Sequence, residues 1–275
     1  MNSQIRNNFV ISILSLFVLA GCTQTAVIDD AVRLDPAQGS EINLASLTQV
    51  VERNPNSAEA YNVRGTAYGK AGKNKAAMAD FNKAIELNPR YYQAYANMAL
   101  VLRVQGKPAA AVQNYTKALK INPNYDTAYI GRGNIYRING KNKQALLDYE
   151  RAIQLGSSNP RAYHARGLIL QSDRKHDRAI QDFTTAISLD SAAPLPYSSR
   201  AASYLAISDT YNALLDADRA LQINARLSEA WITKALAHEQ KREFADAKKA
   251  FERANTINPK MPEARDGLAR LRAAQ

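Results

Sequence analysis

The 275-residue chain has one cysteine and three histidines, and its main apolar run, Phe9–Ala20, is only twelve residues long. With Cys22 alone, an internal disulfide is excluded, and so is a zinc site built on paired cysteines. His164, His176 and His238 lie far apart and lack metal-ligand spacing. No phosphate loop, nucleophile elbow or zinc-protease signature occurs, so neither a cofactor, a metal nor an enzymatic activity is expected. The run Phe9–Ala20 is too short to span a bilayer as a helix.

What the chain has instead is a period. An aromatic recurs at Tyr61, Tyr95, Tyr129, Tyr163, Tyr197 and Trp231, each step being 34 residues with no insertion or deletion. A fixed period of this length denotes stacked helical hairpins rather than one globular core. Six units are expected, starting at 58, 92, 126, 160, 194 and 228 and ending at 261; places are counted here from each start. Place eight is small in every unit: Gly65, Ala99, Gly133, Gly167, Ala201 and Ala235. Alanine fills place twenty (Ala77, Ala111, Ala145, Ala179, Ala213, Ala247) and place twenty-seven (Ala84, Ala118, Ala152, Ala186, Ala220, Ala254). Place twenty-four is aromatic in Phe81, Tyr115, Tyr149, Phe183 and Phe251, with Ala217 the exception. Small residues let helices approach closely, and aromatics fill the wedge between hairpins.

This pattern resembles the tetratricopeptide repeat, over residues 58–260. The resemblance implies an all-α, right-handed superhelical solenoid of helix-turn-helix repeats. Residues 41–57, with Ile42, Leu44, Leu47, Val50 and Val51 at helical spacing, are expected to form an N-terminal cap. Residues 262–275 are expected to form a C-terminal cap with Leu268 and Leu271 inward. Gly72, Gly106 and Gly140 suit left-handed helix ends, whereas Arg174, Ser208 and Arg242 stand there in units four to six. With Ala217 replacing an aromatic, the C-terminal half is expected to be less regular and unit five looser.

Two constellations follow. Place seven is Arg64, Arg132, Arg166 and Arg200 wherever place twenty-three is Asp80, Asp148, Asp182 and Asp216. The other two units hold Met98 with Asn114 and Lys234 with Ala250. Structural ion pairs within each hairpin are therefore expected. The family's ligand-facing places are two, five, nine, twelve and thirteen of each first helix, lining a concave groove. Carried over, they give a polar and basic early groove: Asn62, Lys70, Arg103, Asn134, Arg137, Arg161, His164 and Gln171. The late groove is largely apolar: Leu195, Ala202, Leu205, Ile232 and Leu236, with Glu239 and Gln240.

At the N-terminus, the apolar run ends in Leu19-Ala20-Gly21-Cys22, which resembles the lipobox of bacterial lipoproteins. That resemblance implies a signal peptide over 1–21, lipidation including palmitate at Cys22, and an anchor on the periplasmic side of a Gram-negative cell envelope. Thr23, in place of an aspartate, points to the outer membrane rather than the inner. Residues 22–40 are expected to be a flexible tether, about 60 Å long if fully extended. Of the net charge of +11, Arg6 leaves with the signal peptide, so 11 − 1 = +10 lies outside the cytoplasm on the mature chain, which argues against nucleic acid as its partner.

The expected function is a membrane-anchored scaffold binding a protein or peptide segment in its groove, in cell-envelope maintenance such as regulation of a cell-wall enzyme. Two alternatives stay open: an assembly factor, pilotin-like, for a pilus or secretion system, and a binder of an acidic envelope glycan. The caps leave self-association open.

Overall fold

The computed structural model describes residues 39–273. They form fourteen α-helices and, among the described residues, no strand. In order these are α1 (Glu41–Arg53), α2 (Ala58–Lys70), α3 (Asn74–Leu87), α4 (Tyr92–Val104), α5 (Pro108–Ile121), α6 (Asp126–Ile138) and α7 (Asn142–Gln154), followed by α8 (Pro160–Ser172), α9 (His176–Leu189), α10 (Pro194–Ala206), α11 (Thr210–Ile223), α12 (Ser228–Gln240), α13 (Phe244–Ile257) and α14 (Pro262–Ala273). The first helices of the six repeats begin at 58, 92, 126, 160, 194 and 228, on the 34-residue register. Cys22 and the signal and tether segments up to residue 38 lie outside the described residues. Ser40 does not belong to a tether: its hydroxyl accepts from the Asn43 amide at 3.3 Å and caps α1.

Every hairpin closes in the same way. The backbone N–H at place sixteen donates to the carbonyl at place eleven in all six repeats, from Lys73 to Tyr68 through Glu243 to His238, at 2.8–2.9 Å. This six-to-one bond needs a left-handed residue before it. Gly72, Gly106 and Gly140 supply it at φ 70–72°, and Arg174, Ser208 and Arg242 adopt it at φ 59°, 64° and 62°. The expected irregularity of the C-terminal turns is therefore corrected: the hydrogen-bond frame imposes one geometry, and the side chains there bear its cost.

Packing follows two size rules. In repeats one, three and four, the place-eight glycine lies against its own repeat's ring. A Cβ on Gly65 or Gly133 would stand 2.9 Å from Phe81 or Tyr149, and one on Gly167 would stand 2.6 Å from Phe183. In repeats two and six, place eight is alanine, and the ring leans instead on a glycine six residues into the next unit. Tyr115 abuts Gly131 in this way, and Phe251 abuts Gly267 in the C-terminal cap. One glycine per ring thus makes the room, on one side or the other.

Repeat five has neither ring nor glycine. It is not loose, and that expectation is corrected too. α10 and α12 make the most extensive contact of any two successive first helices. Ala201, Ala213, Ala217 and Ala220 have no exposed surface. Without a ring as spacer, alanine faces close directly on one another, as small residues permit. Both caps are helical; Leu271 is buried and Leu268 packs on the same cluster.

Candidate functional site

Successive first helices, α2, α4, α6, α8, α10, α12 and α14, touch one another in sequence, whereas second helices touch only first helices. The first helices therefore form a continuous wall on the inner side of the array. The side chains they turn inward are the surface on which a ligand could lie.

The N-terminal part of that wall is polar and partly tied down. Asn97 donates from Nδ2 to Asn62 Oδ1 at 3.0 Å and to Thr66 Oγ1 at 3.2 Å. The Tyr149 hydroxyl donates to Asn134 Oδ1 at 2.7 Å. Further on, Gln171 donates from Nε2 to the Ser199 carbonyl and the Ser203 hydroxyl, and His164 Nε2 lies 3.1 Å from Ser199 Oγ. Lys70, Arg103, Arg137 and Arg161 are half-buried on the same wall. The wall thus presents fixed hydrogen-bonding groups beside cations, a chemistry suited to an acidic or polar peptide.

The C-terminal part departs from the expected open apolar groove. Leu205 is 9% exposed and packs on Ala213 and Ala237; Ile232 is 7% exposed and packs on Ala235 and Phe251. Asn62, in the first repeat, is 7% exposed. These three fill the joints between repeats, because the close approach of α10 to α12, and the hydrogen bond from Asn97, cover them. Leu195, Ala202 and Leu236 keep partial exposure. Glu239 is held in a two-bond ion pair by Arg270 of the cap, at 2.8 and 3.2 Å, and Gln240 is exposed beyond it.

The Arg–Asp constellation stands behind this wall. Arg64–Asp80, Arg132–Asp148, Arg166–Asp182 and Arg200–Asp216 are each two parallel hydrogen bonds of 2.7–2.9 Å. The carboxylate side chains are 6–8% exposed and the arginines 16–21%. Each aspartate hydrogen bond raises its arginine's pKa, while burial outweighs Arg132 and lifts the Asp148 carboxyl above its usual range. Tyrosines at places four and eleven sandwich three of the guanidinium groups, with Tyr61 and Tyr68 5.6 and 5.7 Å from Arg64. Tyr129 and Tyr136 flank Arg132, and Tyr197 and Tyr204 flank Arg200. These arginines are committed to the scaffold, not to a ligand.

Sequence reading missed one partner of this cation. Arg132 also donates to Thr116, and Arg200 to Thr184, both at place twenty-five of the preceding repeat. Lys234 reaches Asp218 at that place at 2.6 Å. The place-seven cation is thus a tie between repeats as well as within one. The signal was present as a polar residue sixteen positions before each cation, but nothing in one repeat alone points to it.

Sequence models of the tetratricopeptide repeat match residues 58–91, 92–125, 114–146, 160–192 and 228–261, and a TPR repeat model matches 133–173. The chain belongs to the tetratricopeptide repeat family. No curated protein matches its sequence. Among solved structures, the TPR array is similar to a subunit of the APC/C hetero-tetramer Cut9-Hcn1 at a TM-score of 0.71 and 18% identity. That match covers 86% of this chain and 47% of the other, so the chain spans about half the length of that relative. PilF of Pseudomonas aeruginosa matches at 0.70 and 19% identity, over 78% of this chain and 97% of that one. YrrB, described as a TPR protein with an unusual peptide-binding site, matches at 0.58 and 23% identity, over 67% and 95%. At these identities the likenesses establish the fold. No catalytic family is matched, and the described residues hold no cluster of metal-ligating side chains.

Proposed function

We propose that this TPR protein is a lipid-anchored scaffold of a bacterial envelope that holds a protein segment along its first helices. The observation that supports it is the unbroken inner wall, where polar side chains of α2 to α8 are fixed by hydrogen bonds within and between repeats. Fixed donors and acceptors bind an extended segment with little ordering cost on the protein's side. The anchor at Cys22 adds local concentration: a partner bound to a tethered array stays near the membrane. The outer membrane, facing the periplasm, is the address that Thr23 supports, and regulation of a cell-wall enzyme is the role that suits such an adaptor.

Photo-crosslinkers at Arg161 and Leu195, both half-buried on the wall, test the groove in the native host. One dominant protein captured at both sites is expected. Captures that are absent at both, with acylated protein present, would overturn the groove reading. The anchor is read separately: Cys22→Ser should move the protein out of the membrane fraction.

PilF prompts a second reading, a pilus or secretion assembly factor, because it matches along nearly its whole length. Loss of a surface appendage on deletion, with the cell wall intact, would favour that reading over the first. Capture of an acidic envelope glycan instead of protein would favour the third.

A further inference from the structure

All six intra-repeat turns lie on one edge of the array, because each joins a first helix to its antiparallel second helix. Along this edge the charge is divided. The turn segments 69–76, 103–110 and 137–144 carry eight Lys and Arg and no carboxylate. The corresponding segments of repeats four to six, 171–178, 205–212 and 239–246, carry five cations and six carboxylates. Place sixteen shows the division most simply: Lys73, Lys107, Lys141 and Lys175 give way to Asp209 and Glu243. In the later repeats two of the five cations are paired at the turn, Lys175 with Asp173 and Lys241 with Glu243. Lys73, Lys107 and Lys141 are exposed and have no carboxylate within ion-pair distance among the described residues.

Two further observations fall on the same edge. Large apolar side chains are exposed beside the lysines: Ile42 at the start of α1 is 86% exposed, Val104 at the end of α4 62%, and Ile138 at the end of α6 41%. The turns of repeats five and six also expose Ile207, Tyr211 and Phe244, but beside carboxylates, so the two halves of the edge differ in charge. The chain also enters the array there. A Cβ on Gly39 would lie 2.8 Å from the backbone nitrogen of Ala71, in the first of these turns. Anything attached upstream of Gly39 is therefore tethered to this edge.

We infer that the turn edge of repeats one to three is a docking surface for an anionic phospholipid bilayer, its lysines meeting the headgroups and Ile42, Val104 and Ile138 entering the interface. Interleaved cations and aliphatic side chains are what such an interface selects, since each lysine gains from the surface potential and each aliphatic group from leaving water. A soluble acidic protein would be served by the lysines alone and leaves the three aliphatic residues unexplained. The array would then lie with its first three repeats against the membrane and its last three, with their balanced turns, away from it. The choice of a membrane as occupant rests on the lipid-anchor reading; the division of the edge does not.

The test is lysine acetylation of the full acylated chain, read site by site by mass spectrometry. The chain is reconstituted on vesicles of phosphatidylcholine alone or mixed with phosphatidylglycerol. On the mixed vesicles, Lys73, Lys107 and Lys141 should react about fivefold more slowly or less, reversed by high salt, while Lys248 and Lys249 keep their rates. The triple variant Lys73→Gln, Lys107→Gln, Lys141→Gln should return Lys75 and Lys143 to their rates on neutral vesicles. Equal rates on both vesicles would overturn the inference. Protection by soluble polyglutamate or an acidic polysaccharide, with none from mixed vesicles, would overturn it in favour of a soluble anion. Failure of the protein to stay on neutral vesicles sinks the anchor reading alone, because the mixed vesicles still report on the edge.

Discussion

Repeats three and five solve the same packing problem in opposite ways. Repeat three fills the wedge behind its hairpin with Tyr149 and makes room for it with Gly133. Repeat five has Ala217 where the ring would be and Ala201 where the glycine would be, and closes the space by drawing α10 and α12 together. A solenoid unit therefore does not need its aromatic; it needs the sizes at three places to agree. Because each repeat leans only on its neighbours, such local agreements can differ along one chain without disturbing the period.

The sharpest way to break this comparison is to exchange the two solutions. Phe183 in repeat four has no exposed surface, so Phe183→Ala should cost about 3–5 kcal/mol through the cavity it leaves. The reverse change, Ala217→Phe, should also destabilise, by about 1–3 kcal/mol, since neither Ala201 nor Thr233 concedes room for a ring. Ala201→Gly added to Ala217→Phe should recover part of that loss. Urea melts of the four proteins measure it, and an Ala217→Phe protein as stable as the parent would show that sizes at these places are not coupled.

Much of this was legible in the sequence, and the parts that were not share a cause. Helix starts, caps and the Arg–Asp pairing are read within one repeat, where the 34-residue register and the pairing of place seven with place twenty-three suffice. The burial of Leu205 and Ile232 depends on how far one repeat closes on the next, and that distance is set by Ala217, many residues away. The exchange of glycine between place eight and the next unit's place six, seen at Gly131 and Gly267, is also written in the sequence. Reading it requires knowing that Tyr115 and Phe251 lean forward. Groove positions carried over from the family inherit its average spacing between repeats, and fail where this chain departs from it.

The ion pairs offer a second contrast, between a buried and an open version of one tie. Asp148 is nearly buried, so Arg132→Met leaves its carboxylate without its guanidinium and should cost about 3–5 kcal/mol. Lys234 pairs with Asp218, whose side chain is 47% exposed, and Lys234→Met should cost only about 0–1 kcal/mol. Asp148→Asn combined with Arg132→Met should lose less than the sum of the single changes. Additive losses in that cycle would remove the pairing as a source of stability and leave the arginine's tyrosine neighbours, Tyr129 and Tyr136, as its main contacts.

The smallest effects belong to the turns, where the two halves of the array differ only in which residue carries one conformation. Gly140 and Arg174 hold the same left-handed backbone, at φ 70° and 59°, under the same hydrogen bond from the following residue. Gly140→Ala should therefore cost about 1 kcal/mol, since an L side chain is disfavoured there. Arg174→Gly removes that penalty in the folded state but frees the unfolded chain, so its gain should be smaller, about 0–1 kcal/mol. Making Arg174→Gly, Ser208→Gly and Arg242→Gly together adds the three gains, because the turns are separate sites with no shared partner. A rise in melting temperature is expected for the triple variant, and a fall for Gly140→Ala. If the triple variant instead melts lower, these three side chains contribute more at the turn than their backbone costs, and the C-terminal turns are selected rather than tolerated.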